Sequence, residues 1–292
     1  MASQPPRFLT RRYLPAATFH PSAEADGFGA ANLLDESRTQ VWRADNALEA
    51  WVDIDLGQAL PVNALAVVQH NLSYDGQIGL WAGAAQGGSE LLDLTVDAWE
   101  CLWGVDECAA DEHGADGYPT DEERLRYFPA GPLRLIYLDA LVTARWWRAR
   151  LIGPTWADDF NPDGLIQAGL IVPGFYFQAD RRVCAPLNIG PDDDSRIEYA
   201  EGGQHWRDEG PRYRAGRYPF HQIAGGQALG AWYDLLQEVG SGNSLVADFF
   251  PAAASQVLRL RNQLYCHLTK LQPLSLDRTT RGGLTLEARE SY

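Results

Sequence analysis

The sequence predicts a mainly β protein built from two sandwich-like units that meet near residue 173, with one α-helix in the second unit. Three observations carry that expectation. Val52, Ile54 and Leu56 alternate with Asp53 and Asp55, a period of two that gives a strand one apolar and one wet face. After Pro61, residues 62–68 (VNALAVV) are apolar on both faces, as in a strand covered above and below. Later, Leu229, Trp232, Tyr233, Leu235, Leu236 and Val239 fall at helical spacings ahead of Gly240, which predicts a helix over about 227–239 with a glycine stop.

Taken in order, residues 1–20 set Arg7, Arg11 and Arg12 among Phe8, Leu9, Tyr13 and Leu14. Such a segment is either an arm that docks on a neighbouring subunit or a first strand of the first unit with a frayed start. Residues 23–30 are turn-rich, and NLLDES follows. Trp42 and Trp51 flank the first strand pair, each able to bury a large area; Gly57 and Gln58 read as a break between two strands. Residues 77–82 (QIGLWA) form the next strand, closed by AAQGG. Residues 91–103 are apolar enough to pack. The stretch about 104–124 is an acidic insertion, with Asp106, Glu107, Asp111, Glu112, Asp116, Asp121, Glu122 and Glu123; such a run either repels itself and stays solvated or gathers a calcium ion.

Strands resume at 133–138 (LRLIYL) and 144–151 (ARWWRARL). In the latter, Trp147, Ala149 and Leu151 point one way and Trp146, Arg148 and Arg150 the other. Between this strand and a closing one at 165–172 (LIQAGLIV), Asp159, Asn161 and Asp163 have the spacing of a calcium loop ahead of Gly164. The twelfth position is Leu170 instead of a bidentate glutamate, which favours a plain turn over a metal site. Pro173-Gly174 marks the boundary between a unit of residues 1–172 and one of 173–292. In the second, strands are expected at 175–178, 195–200, 212–220, 244–250, 256–260, 262–271 and 283–289.

The NLLD segment, the W-V-D-I-D-L-G strand and the V-N-A-L-A-V-V strand that follows resemble the discoidin, or galactose-binding-like, jelly roll. ARWWRARL is similar to a late strand of that family. The version ending in QHNLS resembles jelly rolls of long-tailed bacteriophage tail proteins. The strand and helix order of residues 173–292, with the ending LQPL…RGGLTLEAR, resembles the tail-tube-like β-sandwich with one helix of phage distal-tail proteins. The pair of resemblances implies a virion structural protein of a phage tail tip, a distal-tail or minor tail protein made in the host cytoplasm and serving in host attachment. It would assemble as copies of itself in a ring, beside tail tube, hub and tape-measure proteins.

Composition narrows the classes. A net charge of −15 disfavours nucleic acid and anionic membrane, which need clustered cations. Lys270 is the sole lysine, so nearly every cation is a planar arginine suited to fixed pairs. No apolar stretch approaches a membrane span or a signal-peptide core, and the four cysteines, Cys101, Cys108, Cys184 and Cys266, lack zinc spacing, so free thiols are expected. Nucleophile elbow, phosphate loop and metal-binding histidine spacings are all missing. Asp53 and Asp55 share one face, yet the wet face of any strand shows that pattern. No enzyme and no cofactor is therefore expected. Binding chemistry points to loop residues that could stack on a sugar and fix its hydroxyls: His70, Asn71, Tyr74, Asp75, Trp81 and Trp156. The alternative to the virion reading is thus a carbohydrate-binding module accessory to a glycan-degrading system, with cell-surface glycan as partner.

Overall fold

The computed structural model describes residues 4–37, 39–100, 131–157, 161–199, 204–252, 256–277 and 281–291. In chain order its strands are β1 (Arg7–Thr10), β2 (Thr18–Pro21), β3 (Trp42–Arg43), β4 (Glu49–Val68), β5 (Gln77–Gly83), β6 (Leu92–Asp97), β7 (Leu133–Ile152), β8 (Gln167–Ala168), β9 (Leu170–Gly174), β10 (Phe177–Gln178), β11 (Asn188–Asp193), β12 (Arg196–Tyr199), β13 (His205–Asp208), β14 (Arg212–Ala224), β15 (Ser244–Asp248), β16 (Gln263–Lys270), β17 (Ser275–Asp277) and β18 (Arg281–Glu290). The acidic stretch about 104–124, Cys101 and Cys108 lie outside the described residues.

The first unit is a β-sandwich hung on two long strands. β4 and β7 run antiparallel in a six-stranded sheet ordered β2-β4-β7-β5-β6, with β9 added on β4. Gly57 does not end a strand, as its sequence context suggests; it bends one. Its φ of 75° and the bond from its N–H to Asp55 Oδ1 (2.8 Å) absorb a register shift between Asp55 and Leu60, a bulge that turns the sheet without breaking it. The two halves of the bent strands then pack on each other: Val52, Ile54, Trp147 and Leu151 meet Leu65, Val67, Ile136 and Ile171 in one core. The opposite face of the second half, Ala64, Ala66, Val68 and Leu135, packs against Leu9, Val246 and Tyr265 of the second unit. Burial on both sides explains why residues 64–68 carry no wet face.

The second unit departs from the expected two-sheet sandwich. Apart from the separate pair β12-β13, its strands form one sheet ordered β10-β1-β15-β16-β18-β14-β11, with β17 on β18. One face meets the jelly roll. The other takes a helical stretch, Gly225–Gln227, Ala228–Trp232 and Tyr233–Val239, irregular at Gly230 (φ −101°, ψ −106°), whose Trp232, Leu235 and Val239 pack on Phe8, Phe220, Leu264 and Leu284.

Two more expectations are corrected. Residues 7–10 belong neither to the jelly roll nor to a free arm: β1 sits between β10 and β15, so the first strand in sequence completes the second sheet. Alternation explains it, since Phe8 faces the helical layer and Leu9 the jelly roll. Residues 256–260 are helical (Gln256–Arg261) instead of extended, because six residues fit one helical turn as readily as a short strand. Asn262 closes that turn through its Nδ2–H to the Leu258 carbonyl (2.7 Å).

The junction of the units holds a buried carboxyl. Asp248 is 0% exposed and accepts bonds from the Tyr137 hydroxyl (2.9 Å), Gln263 Nε2 (3.1 Å) and the Phe250 N–H (3.2 Å), while the Arg7 guanidinium lies 4.3 Å from the Tyr137 ring centre. Burial outweighs these bonds and pushes the Asp248 pKa up to about 6. A raised carboxyl pKa means the folded state keeps a proton that the unfolded chain has lost. Stability should therefore fall as pH rises from about 4 to about 6, by on the order of 2 kcal/mol. Urea denaturation across that range should show the fall in the wild type and a flatter profile in Asp248→Asn; identical profiles would remove Asp248 as the cause.

Candidate functional site

Several loops meet at one end of the jelly roll. Leu72 bridges Thr155, the Ser73 N–H reaches the Pro154 carbonyl (2.8 Å), Gly153 N–H the Leu48 carbonyl (2.7 Å), Ala98 N–H the Gly76 carbonyl (2.9 Å) and Trp156 N–H the Asn71 carbonyl (3.1 Å). Each loop is thus tied to a neighbour by its own backbone.

Beneath them, three expected site residues come together as foundation. Asn71, 1% exposed, donates to the carbonyls of Leu165 (2.8 Å) and Trp156 (3.2 Å) and accepts from the Gln167 N–H (2.9 Å). His70, also 1% exposed, lies 5.5 Å from the Trp99 ring and 6.5 Å from Trp156, and Trp99 donates its indole N–H to the Leu72 carbonyl (2.7 Å). His70 and Asn71 both stand in the interior, where Asn71, through its three bonds, ties the loops together. Trp156 is half-buried against them. Above this base Tyr74 (46% exposed) and Asp75 project into solvent, with Leu48 (76% exposed), Asp45 and Asn46 on the adjoining loop. Leu48 and Asn46 escape the sequence reading: residues 44–48 carry no strand or turn pattern that points at Tyr74.

Trp81 is elsewhere. It lies on β5, on the outer face of the sheet, where its indole N–H bonds Asp93 (2.7 Å) and the guanidinium groups of Arg148 and Arg150 lie 5.4 and 4.5 Å from its ring centre. That face is a ladder of cross-strand pairs. Arg148 grips both oxygens of Asp53, Arg145 both of Asp55 (2.7 Å each), and Arg150 pairs with Glu49. The Arg145 bonds hold the Asp55 carboxyl below its ordinary range. Asp53 and Asp55 are committed to arginines, which leaves neither as a free acid or base. Acidic residues alternating on one strand and arginines on another were the available signal for this ladder; only the register showed that they meet.

The calcium spacing resolves into a turn. Asn161 is 1% exposed and closes on Leu165 through its Oδ1 (3.1 Å from the N–H) and Nδ2, Asp163 is exposed, and Asp159 lies outside the described residues. Among the described residues no three His, Cys, Asp or Glu side chains gather as a metal would require. Cys184 and Cys266 are free thiols.

No protein-family model matches the chain, and no curated protein does. Among solved structures it is similar to the family 32 carbohydrate-binding module of Clostridium perfringens NanJ in complex with galactose, at 13% identity over 59% of this chain and 99% of that one (TM-score 0.35). It is also similar to the family 32 module of AlyQ in complex with 4,5-unsaturated mannuronic acid, at 16% identity over 53% and 92% (TM-score 0.32), and to a Ruminococcus gnavus GH29 fucosidase, at 12% identity over 56% of this chain but 26% of the enzyme (TM-score 0.34). These findings correct the expectation of a phage tail-tip protein: the similar structures are carbohydrate-binding modules and glycosidases, not tail proteins.

Proposed function

We propose that the first unit is a carbohydrate-binding module that takes a sugar at its loop end. The observation that carries this is the Tyr74 ring, half exposed beside Asp75 on a loop whose neighbours are pinned from below by Asn71, His70 and Trp99. An aromatic face can stack on the apolar face of a pyranose, and a flanking carboxylate can accept hydroxyl hydrogens. A pinned loop pays little ordering entropy on binding. The chain is read as a binding protein and not as an enzyme. We keep the division near residue 173, with β1 as the exception.

The test is calorimetric titration with whichever glycan scores highest on an array. Tyr74→Ala should weaken binding tenfold or more, equivalent to about 1.4 kcal/mol, and Trp81→Ala should leave it unchanged. Silence across the array, or a loss confined to Trp81→Ala, would sink the proposal.

A further inference from the structure

Where the two units meet, the bend of β4 and β7 and the helical stretch flank a cleft of about 740 Å³, within the size range of small-molecule sites, which favour such junctions. Part of its lining is core. Phe8 of β1, Leu56 of β4 and Leu235 of the helical stretch line it and are all buried, and the Phe8 ring centre lies 5.4 Å from that of Trp232. Tyr13, also in the lining, donates its hydroxyl to the Pro61 carbonyl (3.0 Å), a bond that ties the segment after β1 to the bend of the first unit. The cleft is therefore shaped before anything enters it, and filling it costs little ordering.

The rest of the lining combines bare apolar surface with unpaired charge. Leu141 on β7 and Phe175 after β9 are 54% and 52% exposed, two large apolar side chains left open on one cleft. Among the described residues that line it, the charged ones are Arg12, Asp234 and Glu238. None of the three belongs to an ion pair among the described residues. Asp234 and Glu238 stand one helical turn apart, on one side of the helical stretch. Two carboxylates against one guanidinium leave a surplus of one negative charge, and the net charge of −15 adds a field of the same sign. We propose that this cleft binds a small amphiphile, an aromatic or alkyl body carrying one ammonium group, with the body against Leu141 and Phe175 and the ammonium at Asp234 and Glu238. A neutral head would leave the surplus carboxylate unpaired as the body covers the cleft, and an anionic head would be repelled by it. The cleft shares no residue with the loop end of the first unit, so the proposal is independent of sugar binding there.

Calorimetric titration of the full chain with phenylbutylamine, phenylbutanol and phenylbutyrate, one body with three head charges, tests it. The amine should bind at least tenfold more tightly than the alcohol and the carboxylate more weakly than either, with the advantage of the amine shrinking as salt is raised. Asp234→Asn with Glu238→Gln should bring the amine down to the affinity of the alcohol. Leu141→Ala with Phe175→Ala should weaken amine and alcohol alike, tenfold or more, while melting as the wild type does, since both side chains are more than half exposed. Tyr74→Ala should leave all three affinities where they were. Absence of amine binding, equal affinities for amine and alcohol, or amine binding that survives the Leu141 and Phe175 changes would each overturn the proposal, as would loss of amine binding in Tyr74→Ala.

Discussion

Trp232→Ala is expected to destabilise the protein by about 3–5 kcal/mol, the range for deleting a fully buried aromatic side chain and leaving a cavity. Trp232 is 0% exposed and its ring centre lies 4.9 Å from Phe220, 5.1 Å from Phe177 and 5.4 Å from Phe8. These neighbours come from β14, β10 and β1, so the cavity would open between the helical layer and three strands of the sheet. Guanidinium denaturation followed by tryptophan-independent far-UV signal measures the loss. Trp232→Phe should cost much less than the alanine change. The indole N–H is buried with no hydrogen-bond partner among the described residues, and removing an unsatisfied donor recovers part of what the lost volume costs. A phenylalanine variant as damaged as the alanine variant would contradict that reading.

Arg148→Ala is expected to cost a similar amount, about 3–5 kcal/mol, for a different reason. Asp53 is 2% exposed, and its main partner is the Arg148 guanidinium, with Gln86 Nε2 at 3.1 Å as the other. Truncating the arginine strands a buried carboxylate and also strips packing from Trp51 and Trp81, over which the guanidinium lies at 5.1 and 5.4 Å. Replacing both partners, Asp53→Leu with Arg148→Leu, should recover most of the loss, because no charge is then left unpaired. Arg145→Ala supplies the contrast. Its side chain is 48% exposed, and water screens the pair with Asp55, so the expected cost is about 0–1 kcal/mol. Denaturation midpoints for the three variants decide the matter: equal losses at Arg145 and Arg148 would show that burial is not what makes the Asp53 pair matter.

Much of the fold was legible where local pattern and burial coincide. Val52 and Ile54 alternate with acids and are buried in the core, the acids facing out to arginines. Residues 64–68 lack a polar face because two units press on them. The helical stretch near 227–239 forms where its spacing places it, burying Trp232, Leu235 and Val239 while Leu229 and Tyr233 stay exposed. Site residues were harder to place, because residue type does not report exposure. Asn71 has the chemistry of a ligand contact and the position of a structural staple, while Trp81, named among the binding residues, stands on the outer face of the strand expected at 77–82.

Taken alone, the sequence determined the two-residue period of the first part of β4 and of the last part of β7 and the place of the helical stretch in the second unit, all of which depend on neighbours within a few residues. Tertiary structure decided the rest: that Gly57 bends a strand, that β1 crosses to the second sheet, that Asp53 meets Arg148 across 95 positions, and that Tyr199 and Trp206 stand bare on the pair β12-β13. Those outcomes depend on which distant segments compete for the same hydrogen-bonding edge and the same apolar surface. A periodicity of two says only that a strand has two faces, and register and packing choose what each face meets.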